Sequence, residues 1–155
     1  LPERLQAAIK RHDVPCEMLI LEITESLLVR GPESVIPIMN KLVAMGFALS
    51  LDDFGTGYSS LAYLKKFPIT TLKIDRTFVT GIPEDTNDCA IAQAIVTMGK
   101  QLRQEIVAEG VETVEQMGFL RDLGCDQLQG YLFSPPVPAA EFERMVREDQ
   151  RLVQT

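Results

Sequence analysis

Tryptophan is missing from the 155 residues, histidine occurs once and cysteine three times. Cys16, Cys89 and Cys125 are odd in number, far apart and without metal-ligand spacing. That pattern argues against a disulfide framework or a thiolate metal site, and it suits reduced thiols in a cytoplasmic protein. The single histidine, His12, stands beside Asp13 in a polar turn and reads as a solvated side chain rather than a catalytic base. No apolar run approaches the roughly 20 residues of a membrane span, and the opening residues do not read as a signal peptide. Positive charge is also short, 15 Lys and Arg against 22 Asp and Glu giving a net charge of −7. A nucleic-acid polymer would be repelled by that surplus, whereas a small phosphorylated ligand stays open if bound cations meet its charge. Repeats, linkers and biased segments are absent too, and 46% hydrophobic content suffices for one sizeable core.

What is present is concentrated in Leu51-Asp52-Asp53-Phe54-Gly55-Thr56-Gly57-Tyr58-Ser59-Ser60. The apolar run Phe47-Ala48-Leu49-Ser50-Leu51 predicts a buried strand that ends at two adjacent carboxylates. Asp and Gly after a strand are ordinary turn material, so this stretch alone does not decide between a turn and a site. Adjacent aspartates repel each other, however, unless a cation or a donor-rich loop compensates. Ser59 would cap a short helix from Leu61 to Leu64. Asp53-Phe54-Gly55 also matches the metal-binding tripeptide of protein kinases, but no His-Arg-Asp loop precedes it and no Ala-Pro-Glu follows, which excludes that chemistry.

Around this stretch the apolar spacing predicts a regular order of elements. Leu5, Ala8 and Ile9 give an opening helix with Pro2 at its first position, ending near His12. Met18-Leu19-Ile20-Leu21-Glu22-Ile23 reads as a strand. Val35, Ile38, Met39, Leu42 and Val43 recur at helical spacing, with Pro37 tolerable only in the first turn and Gly46 as the stop. Thr70-Thr71-Leu72-Lys73-Ile74-Asp75 alternates as a strand with one polar face does. Ala90, Ile91, Ala94, Ile95, Met98 and Leu102 mark the longest helix, entered from a turn over residues 84–88. Glu105-Ile106-Val107-Ala108 opens another strand, tipped by Glu109 and Glu112. Thr113 and Gln116 then form a capping box for a helix stopped by Gly124. A last strand over residues 126–131 and a helix opened by Pro138 complete the series.

Alternating strands and helices of this kind imply a parallel sheet, whose strand ends all lie on one face. Glu22, Asp52, Asp53, Lys73, Glu109, Glu112 and Gln129 fall at those ends, as the residues of an active-site rim do in α/β folds. A closed eight-unit barrel takes roughly 250 residues, and five units are found here. The expected fold is therefore α/β, a partial TIM-type (β/α) barrel of about five of eight βα units with the first three strands absent. The start at Leu1 in place of Met fits that expectation, and residues 1–155 read as the C-terminal part of a single barrel domain. Two sheet edges and apolar inward faces would then stand open, so the chain alone is expected to associate and to be inactive.

Glu22, Asp52, Asp53 and Glu109 offer oxygen ligands only, a set that suits hard divalent ions such as Mg²⁺ or Mn²⁺ and suits zinc poorly. Adjacent aspartates can bridge or divide a pair of ions, as in two-metal ester cleavage. Lys73 among them could orient an attacking water or neutralise phosphate.

Leu21-Glu22-Ile23-Thr24-Glu25-Ser26, the Asp52-Asp53 stretch, Leu72-Lys73-Ile74-Asp75-Arg76, Val107-Ala108-Glu109-Gly110-Val111-Glu112-Thr113 and Gln129-Gly130-Tyr131 together resemble the successive signatures of the EAL-domain family. Members of that family are bacterial phosphodiesterases that open cyclic di-GMP to the linear dinucleotide pGpG with Mg²⁺ or Mn²⁺. The resemblance implies that Glu22, Asp52, Asp53 and Glu109 are metal ligands, with Asp52 similar to the bridging one. It implies catalytic roles for Lys73, at the nucleophilic water, and for Glu109. Glu112 and Gln129 match positions that support waters and the substrate end of the site. Glu25 resembles the glutamate that pins the loop after Asp53, a loop implicated in homodimer pairing over residues 53–60. The Glu-Xaa-Leu motif of the first strand and an upstream asparagine ligand are not in this sequence. An upstream sensor or GGDEF domain is a further expectation. The alternative reading is a receptor module that binds cyclic di-GMP without cutting it.

Overall fold

The computed structural model describes residues 2–29, 31–57 and 61–148. Ser59, the expected cap, and Tyr58 and Ser60 beside it lie outside the described residues. The elements run α1 (Pro2–His12), β1 (Ile20–Thr24), α2 (Glu25–Val29), α3 (Pro32–Ala44), β2 (Ala48–Phe54), α4 (Leu61–Leu64), β3 (Thr71–Ile74), α5 (Thr86–Gln101), β4 (Glu105–Ala108), α6 (Val114–Leu123), β5 (Gln127–Leu128) and α7 (Ala139–Arg147). All four strand pairings are parallel, and the order β1-β2-β3-β4-β5 follows the chain. Each crossover steps to the next strand, as in one part of a TIM-type barrel, the expected fold class. Among the described residues β1 and β5 each have one neighbour, so both edges are open. No helix among them is long and apolar enough to cross a membrane.

Local chemistry explains most boundaries. Asp85 caps α5, its carboxylate accepting from the Asn87 and Asp88 N–H groups. Thr113 and Gln116 form the full capping box on α6, and Gly124 ends that helix at φ 96°. Pro37 departs from expectation. Helix α3 begins at Pro32, so Pro37 lies inside it, on an exposed face where its ring meets solvent. Residues 16–18 form a single 3₁₀ turn, which delays β1 to Ile20. The strand into Asp52 also runs further than expected, through Asp53 to Phe54.

The sheet's two faces differ in chemistry. Leu49, Leu51, Leu72, Ile74, Ile106 and Ala108 are buried on one face, in a core shared with Met39 and Leu42 of α3, Ile95 and Val96 of α5 and Leu120 of α6. Full burial of one such aliphatic side chain is worth about 1.5–3 kcal/mol, so this face holds the fold together. Residues of the opposite parity, among them Glu22, Ser50, Thr71, Lys73, Glu105 and Gln127, line a cavity of about 190 Å³ on the inward face. The expectation of apolar inward faces is therefore corrected: this face is mainly polar, with Ile20 and Val107 as its apolar members. Exposed apolar side chains include Met18 and Ile20 near the β1 edge, at 74% and 57%, and Tyr131, Phe142 and Val146 further along the chain.

Candidate functional site

Strand register brings the polar residues into rows. Glu22 pairs with Ser50, Ser50 with Thr71 and Thr71 with Glu105, one row across four strands. Between β2 and β3 the register runs Leu51 to Leu72 and then Phe54 to Ile74. Asp52 and Asp53 thus stand opposite one residue, Lys73, in a β-bulge. Strict alternation would send neighbouring aspartates to opposite faces of the sheet. The bulge breaks that alternation, and Asp53 takes the left-handed φ of 55° to do so.

Lys73 is the centre of the site. Its Nζ lies 2.6 Å from Glu22 Oε1 on β1, 2.6 Å from Glu109 Oε1 just beyond β4 and 3.1 Å from Asp52 Oδ1 on β2. The Lys73 side chain is 7% exposed, against 20% for Asp52 and Glu109 and 53% for Glu22. Burial pushes the Lys73 ammonium toward deprotonation, but hydrogen bonds to Glu109 and Glu22 outweigh it and raise its pKa above the ordinary lysine value. Asp52 Oδ1 is within ion-pair distance, yet it is buried without an aligned hydrogen-bond donor. Burial, then the charges of Asp52 and Asp75, raise the Asp53 carboxyl above the ordinary aspartate value.

The surrounding loops are set by close packing. Glu25, buried at the start of α2, accepts from the backbone N–H groups of Gly55 at 2.9 Å and Gly57 at 3.1 Å. Gly55 has φ 98°, and a Cβ there would lie 2.8 Å from Phe78 Cε2, so only glycine suits the position. Gly130, next to Gln129, leaves no space either, since a Cβ there would run into the Val111 backbone.

The structure thus brings Glu22, Asp52, Lys73 and Glu109 together, with Asp53 beside them. Gln129 is exposed on the rim of the inward cavity. Glu112 is exposed, its backbone N–H donating to Gln116. Among the described residues no ion pair joins the Glu112 carboxylate to the Lys73 cluster. Sequence reasoning gave Asp75 no role. Its carboxylate accepts from the Thr77 N–H at 2.9 Å and from the Thr77 hydroxyl at 2.5 Å, capping a 3₁₀ turn over Arg76–Phe78. The Asp-Xaa-Thr spacing was the available signal for that turn.

A divalent ion can be tested against these residues. The ligand atoms are all carboxylate oxygens, and the buried Asp52 Oδ1 has only the poorly aligned Lys73 ammonium beside it, so the set suits a hard cation in type and in charge. As the side chains stand, no group of three His, Cys, Asp or Glu among the described residues is arranged to hold an ion. The cation they surround is the Lys73 ammonium.

The chain is similar to several known proteins. The chain is 45% identical over 147 residues to the cyclic di-GMP phosphodiesterase NbdA of Pseudomonas aeruginosa, covering 95% of this chain and 19% of that protein. The chain therefore spans about a fifth of the length of this curated relative. Among solved structures, the PaMucR phosphodiesterase in complex with c-di-GMP superposes with a TM-score of 0.87 at 48% identity, over 90% of this chain and 57% of that one. Klebsiella pneumoniae BlrP1, in a manganese and cyclic di-GMP complex, superposes with a TM-score of 0.80 at 30% identity, over 86% of this chain and 34% of that one. The EAL domain model matches residues 1–136, the span that carries all five strands and every residue of the rim, and on that match this chain belongs to the EAL domain family.

Proposed function

We propose that this chain contributes the carboxylate rim of a metal-dependent phosphodiesterase that opens cyclic di-GMP to linear pGpG. The observation that carries the reading is the convergence of Glu22 on β1, Asp52 on β2 and Glu109, the residue just past β4, on one buried cation. Phosphodiesterase names among the relatives and cyclic di-GMP in the neighbouring structures support the choice of substrate.

Glu22, Asp52, Asp53 and Glu109 would hold Mg²⁺ or Mn²⁺ in a two-metal site, Asp52 shared between the ions. When bound, such ions polarise the phosphate and activate water. Lys73 orients the attacking water, beside Glu109, which serves catalysis as a ligand. Glu112 and Gln129 support the waters and the substrate end. Water oxygen adds to phosphorus, one ester P–O bond breaks, and a proton passes to the departing 3′ oxygen, which opens the ring. Glu25 holds the loop after Asp53 from beneath, and self-association as a homodimer uses that loop.

The wider assignment is also proposed: residues 1–155 form the C-terminal part of a single barrel in a cytoplasmic bacterial signalling protein with a sensor or GGDEF domain upstream. The five strands alone, without ligands from further strands, would be inactive. Asp52→Asn in the closed barrel tests the site. It removes the shared anionic ligand and should lower Mn²⁺-dependent turnover by at least ~100-fold. Undiminished turnover at matched metal concentration would contradict the two-metal assignment.

A further inference from the structure

The oxygens of Glu22 and Asp52, on two strands, and of Glu109, just past the end of a third, each lie within 3.1 Å of Lys73 Nζ. Among the described residues no other cation pairs with them: the remaining ion pairs there involve Lys41, Lys100, Arg121, Arg144 and Arg147, with different acids. Without Lys73 the three carboxylates would face one another with no counter-charge, an arrangement that is costly in a partly desolvated site. A divalent ion and an ammonium cannot both occupy the convergence point, because like charges at such distances repel strongly where solvent is excluded. The ammonium has a means of leaving. Its four-carbon stem has several rotatable bonds, and Glu22, 53% exposed, opens one side of the cluster to solvent.

We propose that Lys73 is the resident cation of the carboxylate cluster, and that divalent metal must displace its ammonium from Glu22 and Glu109 in order to bind. The inference rests on the reading of those acids as metal ligands. It adds an order of assembly: in the metal-free protein Lys73 is held by carboxylates, and only metal loading frees it to meet a water or a phosphate. It also reverses an ordinary expectation for a site lysine, since removing Lys73 strengthens metal binding.

The test is Mn²⁺ binding by the intact protein, followed by calorimetry, in the wild type and in Lys73→Met. The Met variant should bind Mn²⁺ roughly tenfold or more tightly. Its Tm should also rise further on adding metal than that of the wild type. Equal or weaker affinity in the variant, with clear binding by the wild type, overturns the displacement and leaves the metal site standing. Absence of binding in both overturns the metal site and this inference with it. A second measurement needs no variant. Labelling of Lys73 by an amine-reactive ester, read by mass spectrometry against the exposed Lys66, should increase several-fold when Mn²⁺ is added. Labelling that stays constant or falls overturns the proposal.

Discussion

Glu25 Oε2 accepts a hydrogen bond of 2.9 Å from the backbone nitrogen of Gly55, 30 residues further along the chain. The same oxygen accepts from Gly57, and a Cβ on Gly57 would lie 2.9 Å from Glu25 Oε1. One buried carboxylate therefore sets the path of the backbone that follows Asp53, without itself joining the Lys73 cluster.

Glu25→Ala should cost about 1.5–3 kcal/mol for each bond lost to the charged acceptor. Because the loop begins where Asp53 ends, Mn²⁺ affinity and self-association should fall together, measured by calorimetry and by sedimentation. Glu25→Gln, which keeps an acceptor oxygen, should recover part of both. Loss of one property with the other intact would show that the loop does not couple them.

Lys73→Ala at saturating metal should lower kcat by about 10²–10⁴-fold while changing KM little, as expected for a group that acts on the attacking water. Steady-state kinetics separate the possibilities. A normal kcat with a raised KM would place Lys73 on the substrate phosphate instead.

Much of this site could be read in the sequence because residue type and strand parity carry it. Glu22 and Lys73 share the inward parity of their strands, and the apolar residues of opposite parity make the core. Helix α6 was equally legible, since Thr113, Gln116 and Gly124 specify its cap, its first turn and its stop. The Asp52-Asp53 bulge was not legible, because a register shift depends on the facing strand and leaves no mark in the spacing of its own. The interior place of Pro37 depended on where α3 begins, and Pro32 moved that start upstream. Five polar strand ends announced a site. That Lys73 is surrounded by three of the acids is a matter of side-chain reach, visible only in three dimensions.

Away from the site, Asp126 ties α5 to the start of β4. Its Oδ1 accepts from Lys100 Nζ at 2.5 Å and its Oδ2 from the Ile106 N–H at 2.7 Å. Burial pushes this carboxyl up, but the hydrogen bonds from Lys100 and Ile106 outweigh it and hold its pKa below the usual aspartate value. A depressed folded-state pKa gives stability that is present above the unfolded value and lost as pH falls through the folded one. The Tm gap between wild type and Asp126→Asn should therefore be widest near neutrality and close on acidification below about pH 4. A gap independent of pH would remove Asp126 from the acid response.

The most direct test of the account is the fate of cyclic di-GMP itself. The closed barrel containing this chain is incubated with the nucleotide and Mn²⁺, and the products are separated by chromatography. Linear pGpG should accumulate, stop on adding a chelator and fail to form with residues 1–155 alone. Cyclic di-GMP that is bound yet recovered intact, at any divalent metal concentration, would contradict the phosphodiesterase reading and leave a receptor in its place.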